Sequence, residues 1–207
     1  SIGHKRSLTS VFELLSKQGL DVKLLQNQIK DILIKTFISG LPLIRHQYRS
    51  CQLENYAGNM CFEVLGFDVI LTSKGEPYLL EVNHTPSFTT DTPLDELIKK
   101  NLIRDSLVLM NINTTSKAEI IAAKREELNN RVYAGKKTKL ISRNVRILEW
   151  KPKKRDVFED QHLGGFEKIY PVTDETAMKQ YQQFLEHSEK LYEESTGIKR
   201  KPKEAAK

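Results

Sequence analysis

Three side chains in the stretch GFDVILTSKGEPYLLEVNHTP (residues 66–86) have types and spacing that suit cation chemistry: Asp68, Glu81 and Asn83. Two runs rich in β-formers flank a polar SKGE turn, the pattern of a hairpin. A turn centred on Lys74 and Gly75 pairs residues whose numbers sum to 149. Thr72 then faces Pro77, Ile70 faces Leu79, and Asp68 faces Glu81. Side chains alternate along a strand, so Asn83 projects from the same face as Glu81. Phe67, Val69, Leu71, Leu80 and Val82 fall on the other face. Two carboxylates directly opposed across a ladder repel each other. A Mg²⁺ ion offsets that repulsion, because it favours carboxylate and carbonyl oxygens and leaves positions open for phosphates. Two alternatives stand beside this. A polar hairpin face can simply meet solvent, and a three-residue loop would set Asp68 opposite a residue of the other parity.

The elements that would position this hairpin are helical. Ser10 and Glu13 have capping-box spacing and open a short helix that Gly19 ends. Asp21 caps a longer one, VKLLQNQIKDILIKTFIS, with Leu25, Ile29, Ile32 and Leu33 at helical spacing; Gly40 and Pro42 are expected to stop it. Residues 44–60 read as an irregular polar connection, and MCFEVLGFDVILT as the first strand. After the loop TPSFTTDTP, Thr92 is the expected N-cap of a helix with Pro93 in its first turn. That helix carries Leu94, Leu97, Ile98, Leu102 and Leu109 on an apolar face. A basic helix is expected over about 116–133 and a charged one near 174–194, with a disordered tail after it.

The 207 residues suffice for a core of their own. No apolar run approaches the ~20 residues that span a bilayer, so no membrane partner is expected. The N-terminus has neither an initiator Met nor a signal peptide's apolar core, as a piece of a longer chain would. Cys51 and Cys61 lack metal-site spacing and are expected to be buried, reduced thiols. The formal charge of +6 is unevenly spread. Residues 1–116 hold twelve Lys and Arg against twelve Asp and Glu, residues 117–155 thirteen against four, and residues 156–207 eight against eleven. A stripe this basic attracts polyanions. Its two aromatics, Tyr133 and Trp150, do not form an interleaved pattern for base stacking, which argues against nucleic acid.

The run CFEVLGFDVILTSKGEPYLLEVNHTPSFTTDTPLDELIKKNLIRDSLVL resembles the C-terminal part of the tubulin tyrosine ligase-like enzymes, in their polyglutamylase branch. The likeness extends back through ILIKTFISGLP to GHKRSL and forward to LGGFEKIYP. It implies an α/β (α+β) class, a partial ATP-grasp domain followed by a basic helical extension, and an ATP-dependent ligase. On that resemblance Asp68, Glu81 and Asn83 hold Mg²⁺ with ATP and form the catalytic centre. ATP phosphorylates a glutamate γ-carboxylate in a tubulin tail, and free glutamate then attacks the acylphosphate. Lys5 matches a position facing the incoming glutamate's carboxylate, and His84 one facing the acceptor, though a surface lysine and a loop histidine are the plainer readings of both. Lys136, Lys137, Lys139, Arg143 and Arg146 match a cationic region that engages the acidic C-terminal tails of microtubules.

The implied layout is ligase core over 1–115, basic extension over 116–195 and disordered tail over 196–207, acting as a monomer. The implied places are cytoplasm and cytoskeleton, with cilium or basal body as a further one. No Gly-rich phosphate loop occurs in these residues. The competing readings are a microtubule-binding module without catalysis and a ligase of the same family using another amino acid, such as glycine.

Overall fold

The computed structural model describes residues 4–51, 61–111, 122, 125 and 155–198. They belong to two compact units. The first comprises residues 1–87 together with 169–207, and the second residues 88–168.

In the first unit, α1 spans Leu8–Lys17 and α2 spans Val22–Cys51. The cap of α1 is Ser7 rather than Ser10: the Ser7 hydroxyl accepts from the Ser10 N–H at 3.2 Å, and Ser10 Oγ donates to the Ser7 carbonyl at 2.9 Å. An ST-type local pairing uses Ser10 one turn inside the helix, so the Glu13 spacing goes unused as a box. Asp21 caps α2 as its sequence implies, accepting from the Leu24 N–H at 3.0 Å.

Contrary to expectation, α2 does not stop at Gly40 and Pro42 but runs on to Cys51. An interior proline costs roughly 3 kcal/mol in an isolated helix. Here long-range contacts outweigh it. Leu25, Ile34, Ile38 and Pro42 are the buried positions of α2. The C-terminal helix α4, Glu175–Thr196, packs along α2 and ties it on both sides of the proline. Tyr181 Oη donates to Asp31 Oδ1 at 2.9 Å ahead of Pro42, and Arg45 Nη1 reaches Glu189 Oε1 at 3.0 Å beyond it. The His46 and Tyr192 rings lie 6.2 Å apart. The irregular connection expected from residue 44 therefore begins no earlier than the end of α2.

Two antiparallel strands, β1 (Gly66–Leu71) and β2 (Pro77–Asn83), form the hairpin. Residues 61–65 stay outside the strand, which is shorter than the run of β-formers suggested. The hairpin rests on α2, where the Phe37 and Phe67 rings meet at 5.6 Å. Cys51 and Cys61 are free thiols as read, but exposed rather than buried. Cys51 ends α2 and Cys61 precedes the strand, so neither sits in a packed layer.

In the second unit, α3 spans Pro93–Met110. Thr92 caps it as its sequence implies, with Thr92 Oγ1 accepting from the Asp95 N–H at 3.1 Å and donating to Asp95 Oδ2 at 2.8 Å. Its burial differs from the apolar face read in the sequence. Leu97 and Ile98 are exposed, while Asp95, Asp105 and Ser106 are its buried residues. Each is satisfied: Asp95 by Thr92 and Lys99, Ser106 by the Leu102 carbonyl, Asp105 by the Gly165 N–H and Arg104. Among the described residues no buried side-chain polar atom lacks a partner, which is what makes a polar inward stripe tolerable. No helix of the described residues is long and apolar enough to cross a membrane.

Candidate metal and nucleotide site

The site is built by the turn and by one irregularity in β2. The Thr72 carbonyl accepts from the Gly75 N–H at 2.9 Å, and the Thr72 N–H donates to the Glu76 carbonyl at 3.0 Å. Thr72 Oγ1 accepts from the Lys74 and Glu76 N–H groups, both at 3.2 Å. Residues 73–75 thus form a three-residue loop with Gly75 at φ +81°, a common hairpin connection. Near the loop the register is therefore one residue off the expectation. Leu71 faces Pro77, Ile70 faces Tyr78, and Val69 faces Leu79.

Taken alone, that loop would place Asp68 opposite Leu80. A β-bulge between Asp68 and Val69 resets the ladder, so that Asp68 faces Glu81, Phe67 faces Val82 and Gly66 faces Asn83. An extra residue in one strand restores parity beyond it. That extra residue is Leu80. It is exposed with Ile70 and Tyr78, while Leu79 joins Val69 and Leu71 on the half-buried face toward α2. The inner and outer assignments of Leu79 and Leu80 are thereby exchanged relative to the alternation read from the sequence.

Asp68, Glu81 and Asn83 meet on the exposed face. Asn83 Nδ2 donates to Glu81 Oε1 at 3.0 Å and to Asp68 Oδ2 at 3.4 Å. A hydrogen bond shared with Glu81, then desolvation and the Glu81 charge, raise the Asp68 carboxyl above its ordinary value. The Asn83 amide, followed by the Asp68 hydrogen bond, holds Glu81 below its ordinary value. The pair behaves as two carboxylates competing for one positive charge. In the structure an amide proton supplies part of that charge. Among the described residues there is no cluster of three or more His, Cys, Asp and Glu. The donor set is two carboxylates and one amide, all hard ligands of the kind Mg²⁺ takes while keeping sites for phosphate. The residues fit such an ion.

Gly66 escaped the sequence reading. A Cβ there would lie 3.3 Å from Pro86 Cβ and 3.7 Å from Asn83 Cβ, so the bare backbone lets the post-β2 loop close beside Asn83. The glycine immediately before the Phe67–Asp68 pair was the available signal. His84 lies one residue past β2 and is exposed. Lys5 is exposed in the segment ahead of α1. Lys136, Lys137, Lys139, Arg143 and Arg146 lie outside the described residues, as do most of the expected basic helix and residues 199–207 of the tail.

A sequence model described as the Tubulin-tyrosine ligase family matches residues 2–120, more than half of the chain and all of the hairpin. The chain belongs to the tubulin-tyrosine ligase family. Among this family's curated members, a probable beta-tubulin polyglutamylase of Tetrahymena thermophila is 52% identical over 197 residues, covering 95% of this chain and 16% of its own length. Tubulin polyglutamylase ttll6 of Danio rerio is 34% identical over 95% of this chain and 25% of its own length. Tubulin polyglutamylase TTLL13 of Homo sapiens is 35% identical over 96% and 24%. The chain thus spans about a sixth to a quarter of the length of the curated relatives it matches. Its mixed α and antiparallel β composition agrees with part of a ligase domain of this family.

Proposed function

We propose that this chain supplies the metal-and-phosphate side of an ATP-dependent ligase that adds glutamate to glutamate side chains in tubulin C-terminal tails. The observation that carries the reading is the convergence of Asp68, Glu81 and Asn83 on one exposed hairpin face, in a family whose similar members are named tubulin polyglutamylases. The hairpin and its helices would be part of an ATP-grasp core.

In this reading Asp68, Glu81 and Asn83 hold Mg²⁺, which screens the charge of the ATP phosphates. The acceptor γ-carboxylate oxygen attacks the γ-phosphorus of ATP, ADP leaves, and an acylphosphate forms. The amine of free glutamate attacks the acyl carbon, phosphate departs, and the new amide is left after the amine loses a proton. Lys5 places an ammonium for the carboxylate of the incoming glutamate, a compact charge suited to that task. His84, exposed beside Asn83, faces the acidic acceptor segment. Lys136, Lys137, Lys139, Arg143 and Arg146 draw the glutamate-rich tails in by summed, long-range attraction. The partners are thus tubulin and free glutamate, and the cytoskeleton is the place of action.

The test uses the full-length parent protein with ATP, Mg²⁺, microtubules and labelled glutamate or glycine. Glu81→Gln should abolish incorporation and leave co-sedimentation with microtubules intact. Incorporation that survives this substitution would remove Glu81 from the metal site. Transfer of glycine in place of glutamate would reassign the amino-acid substrate, and binding without any transfer by the unaltered protein would favour the non-catalytic module.

A further inference from the structure

The hairpin face that carries Asp68, Glu81 and Asn83 has a fourth corner, and Gly66 stands there. The ladder pairs Asp68 with Glu81 and Gly66 with Asn83. Residues two apart on a strand point the same way, so a side chain at 66 would stand beside Asp68 and across from Asn83. Glycine leaves that corner bare, and Pro86 closes over it. A Cβ on Gly66 would lie 3.3 Å from Pro86 Cβ, 3.7 Å from Asn83 Cβ and 3.9 Å from the Asn83 carbonyl oxygen. Burial agrees with this contact. Gly66 is half-buried while Asp68 and Ile70 on the same face are exposed, and Pro86 is half-buried while residues 81–85 and Ser87 are exposed.

The contact turns the chain back directly after a proposed metal ligand. Only His84 and Thr85 separate Asn83 from Pro86, and both lie in a bend. Proline fixes its own φ and restricts the residue before it, so this bend has little freedom to absorb a shift. Asn83 is thus held from two sides, by the ladder opposite Gly66 and by the proline folded over that corner. An added methyl at 66 would move its neighbour by a few tenths of an ångström. That displacement is on the scale that separates two cations. Mg²⁺ takes oxygens at about 2.0–2.1 Å in near-ideal octahedral geometry, whereas Ca²⁺ takes them at about 2.3–2.6 Å in flexible geometry.

We propose that Gly66 and Pro86 are a positioning pair that holds Asn83 close to Asp68 and Glu81, and that this contact makes the site discriminate Mg²⁺ against Ca²⁺. The proposal rests on the reading that Asp68, Glu81 and Asn83 hold the cation. Gly66 and Pro86 act through Asn83. Filling the corner pushes Pro86 away and lets Asn83 drift from the Asp68–Glu81 rung. The donor set then widens, and the cation with longer bonds and looser geometry gains relative to Mg²⁺.

The experiment measures Mn²⁺ retained by the full-length protein in equilibrium dialysis with a non-hydrolysable ATP analogue, and its displacement by Mg²⁺ or by Ca²⁺. Each variant is read as the ratio of the two displacing concentrations relative to the parent, so that cation binding by the free analogue cancels. Gly66→Ala and Pro86→Gly should each shift this ratio toward Ca²⁺ by roughly tenfold, the low end of what losing a ligand's supporting contact costs. The double variant should be no worse than either single one, since both open the same contact. Gly75→Ala is the comparison. It strains the other end of the hairpin, where φ is +81° and a Cβ would run into Leu20 Cδ2. It should lower the melting temperature and leave the ratio unchanged. Thermal melting first shows that each variant is folded, and if Gly66→Ala is not, Pro86→Gly carries the same comparison. An unchanged ratio in the folded variants, or an equal shift in Gly75→Ala, overturns the positioning role. Glu81→Gln separates the two ideas. If it loses Mn²⁺ while Gly66→Ala and Pro86→Gly discriminate as the parent does, only the positioning pair fails. If it retains Mn²⁺ as the parent does, or the parent retains none, the metal reading fails and takes the pair with it.

Discussion

At the scale of single residues, the polar groups that matter are paired, and the pairing sets their titration. Asp68 and Glu81 oppose each other across the ladder and are drawn together by the Asn83 amide. Far from them, Tyr181 donates to Asp31, which also binds Lys35 at 2.6 Å. Desolvation first, then the hydrogen bond and charge of Asp31, push the Tyr181 phenol up to about 12. Such a raised value favours the neutral phenol in the folded state. Its contribution is fully present below the ordinary tyrosine value of about 10 and declines as pH rises from there toward the folded value. Tyr181→Phe should therefore destabilise the protein by about 1 kcal/mol near neutral pH through the lost hydrogen bond. The gap between variant and parent should shrink above pH ~10. Urea unfolding at several pH values checks this. A gap that does not change with pH would show that the Asp31 bond does not set the phenol's titration.

At the scale of elements, the hairpin works because two irregularities cancel. The three-residue loop moves the ladder by one residue, and the bulge at Leu80 moves it back before the acidic pair. Without the bulge, Glu81 would take the half-buried face and Asp68 would stand beside apolar side chains. Inserting one alanine between Leu80 and Glu81 should therefore abolish ligation while the hairpin survives, because a single-residue slip inverts every side chain beyond it, whereas deleting Leu80 leaves a regular ladder with Glu81 still opposite Asp68. Substituting Leu80 by Val should leave ligation largely intact, since the bulge is a matter of residue count. Activity of both variants, with circular dichroism to confirm retained structure, is the measurement. An insertion variant that still ligates would mean the register does not position Glu81 and Asn83.

At the scale of the whole molecule, charge and connectivity are segregated. Residues 117–155 carry the excess of cations, while residues 169–198 return to the unit that holds the hairpin, where α4 packs along α2. If the basic stretch acts by summed attraction, neutralising all of Lys136, Lys137, Lys139, Arg143 and Arg146 should weaken microtubule co-sedimentation by an order of magnitude or more. Each single change should do little, since one exposed charge contributes only about 0–1 kcal/mol. The binding of the unaltered protein should weaken steeply as ionic strength rises through ~0.15 M. Binding insensitive both to the substitutions and to salt would refute the electrostatic account.

The amino-acid sequence by itself determined the features encoded within a few residues of one another. Glu81 and Asn83 share a face because strands alternate, Thr92 and Asp21 cap their helices because short polar side chains reach their own N–H groups, and the cationic stretch is a matter of composition. Only the tertiary structure decided the rest. The register at the turn was misread because loop length and bulge each shift it by one, and only their combination is constrained. Continuation of α2 through Pro42 was hidden because its supports lie 150 and 144 residues away, in Tyr181 and Glu189. The inward stripe of α3 was assigned to leucines because burial of Asp105 makes sense only once Gly165 has arrived to donate to it. Local pattern reports what a segment can form; which face is buried, and which breaker is overruled, depends on partners distant in the chain.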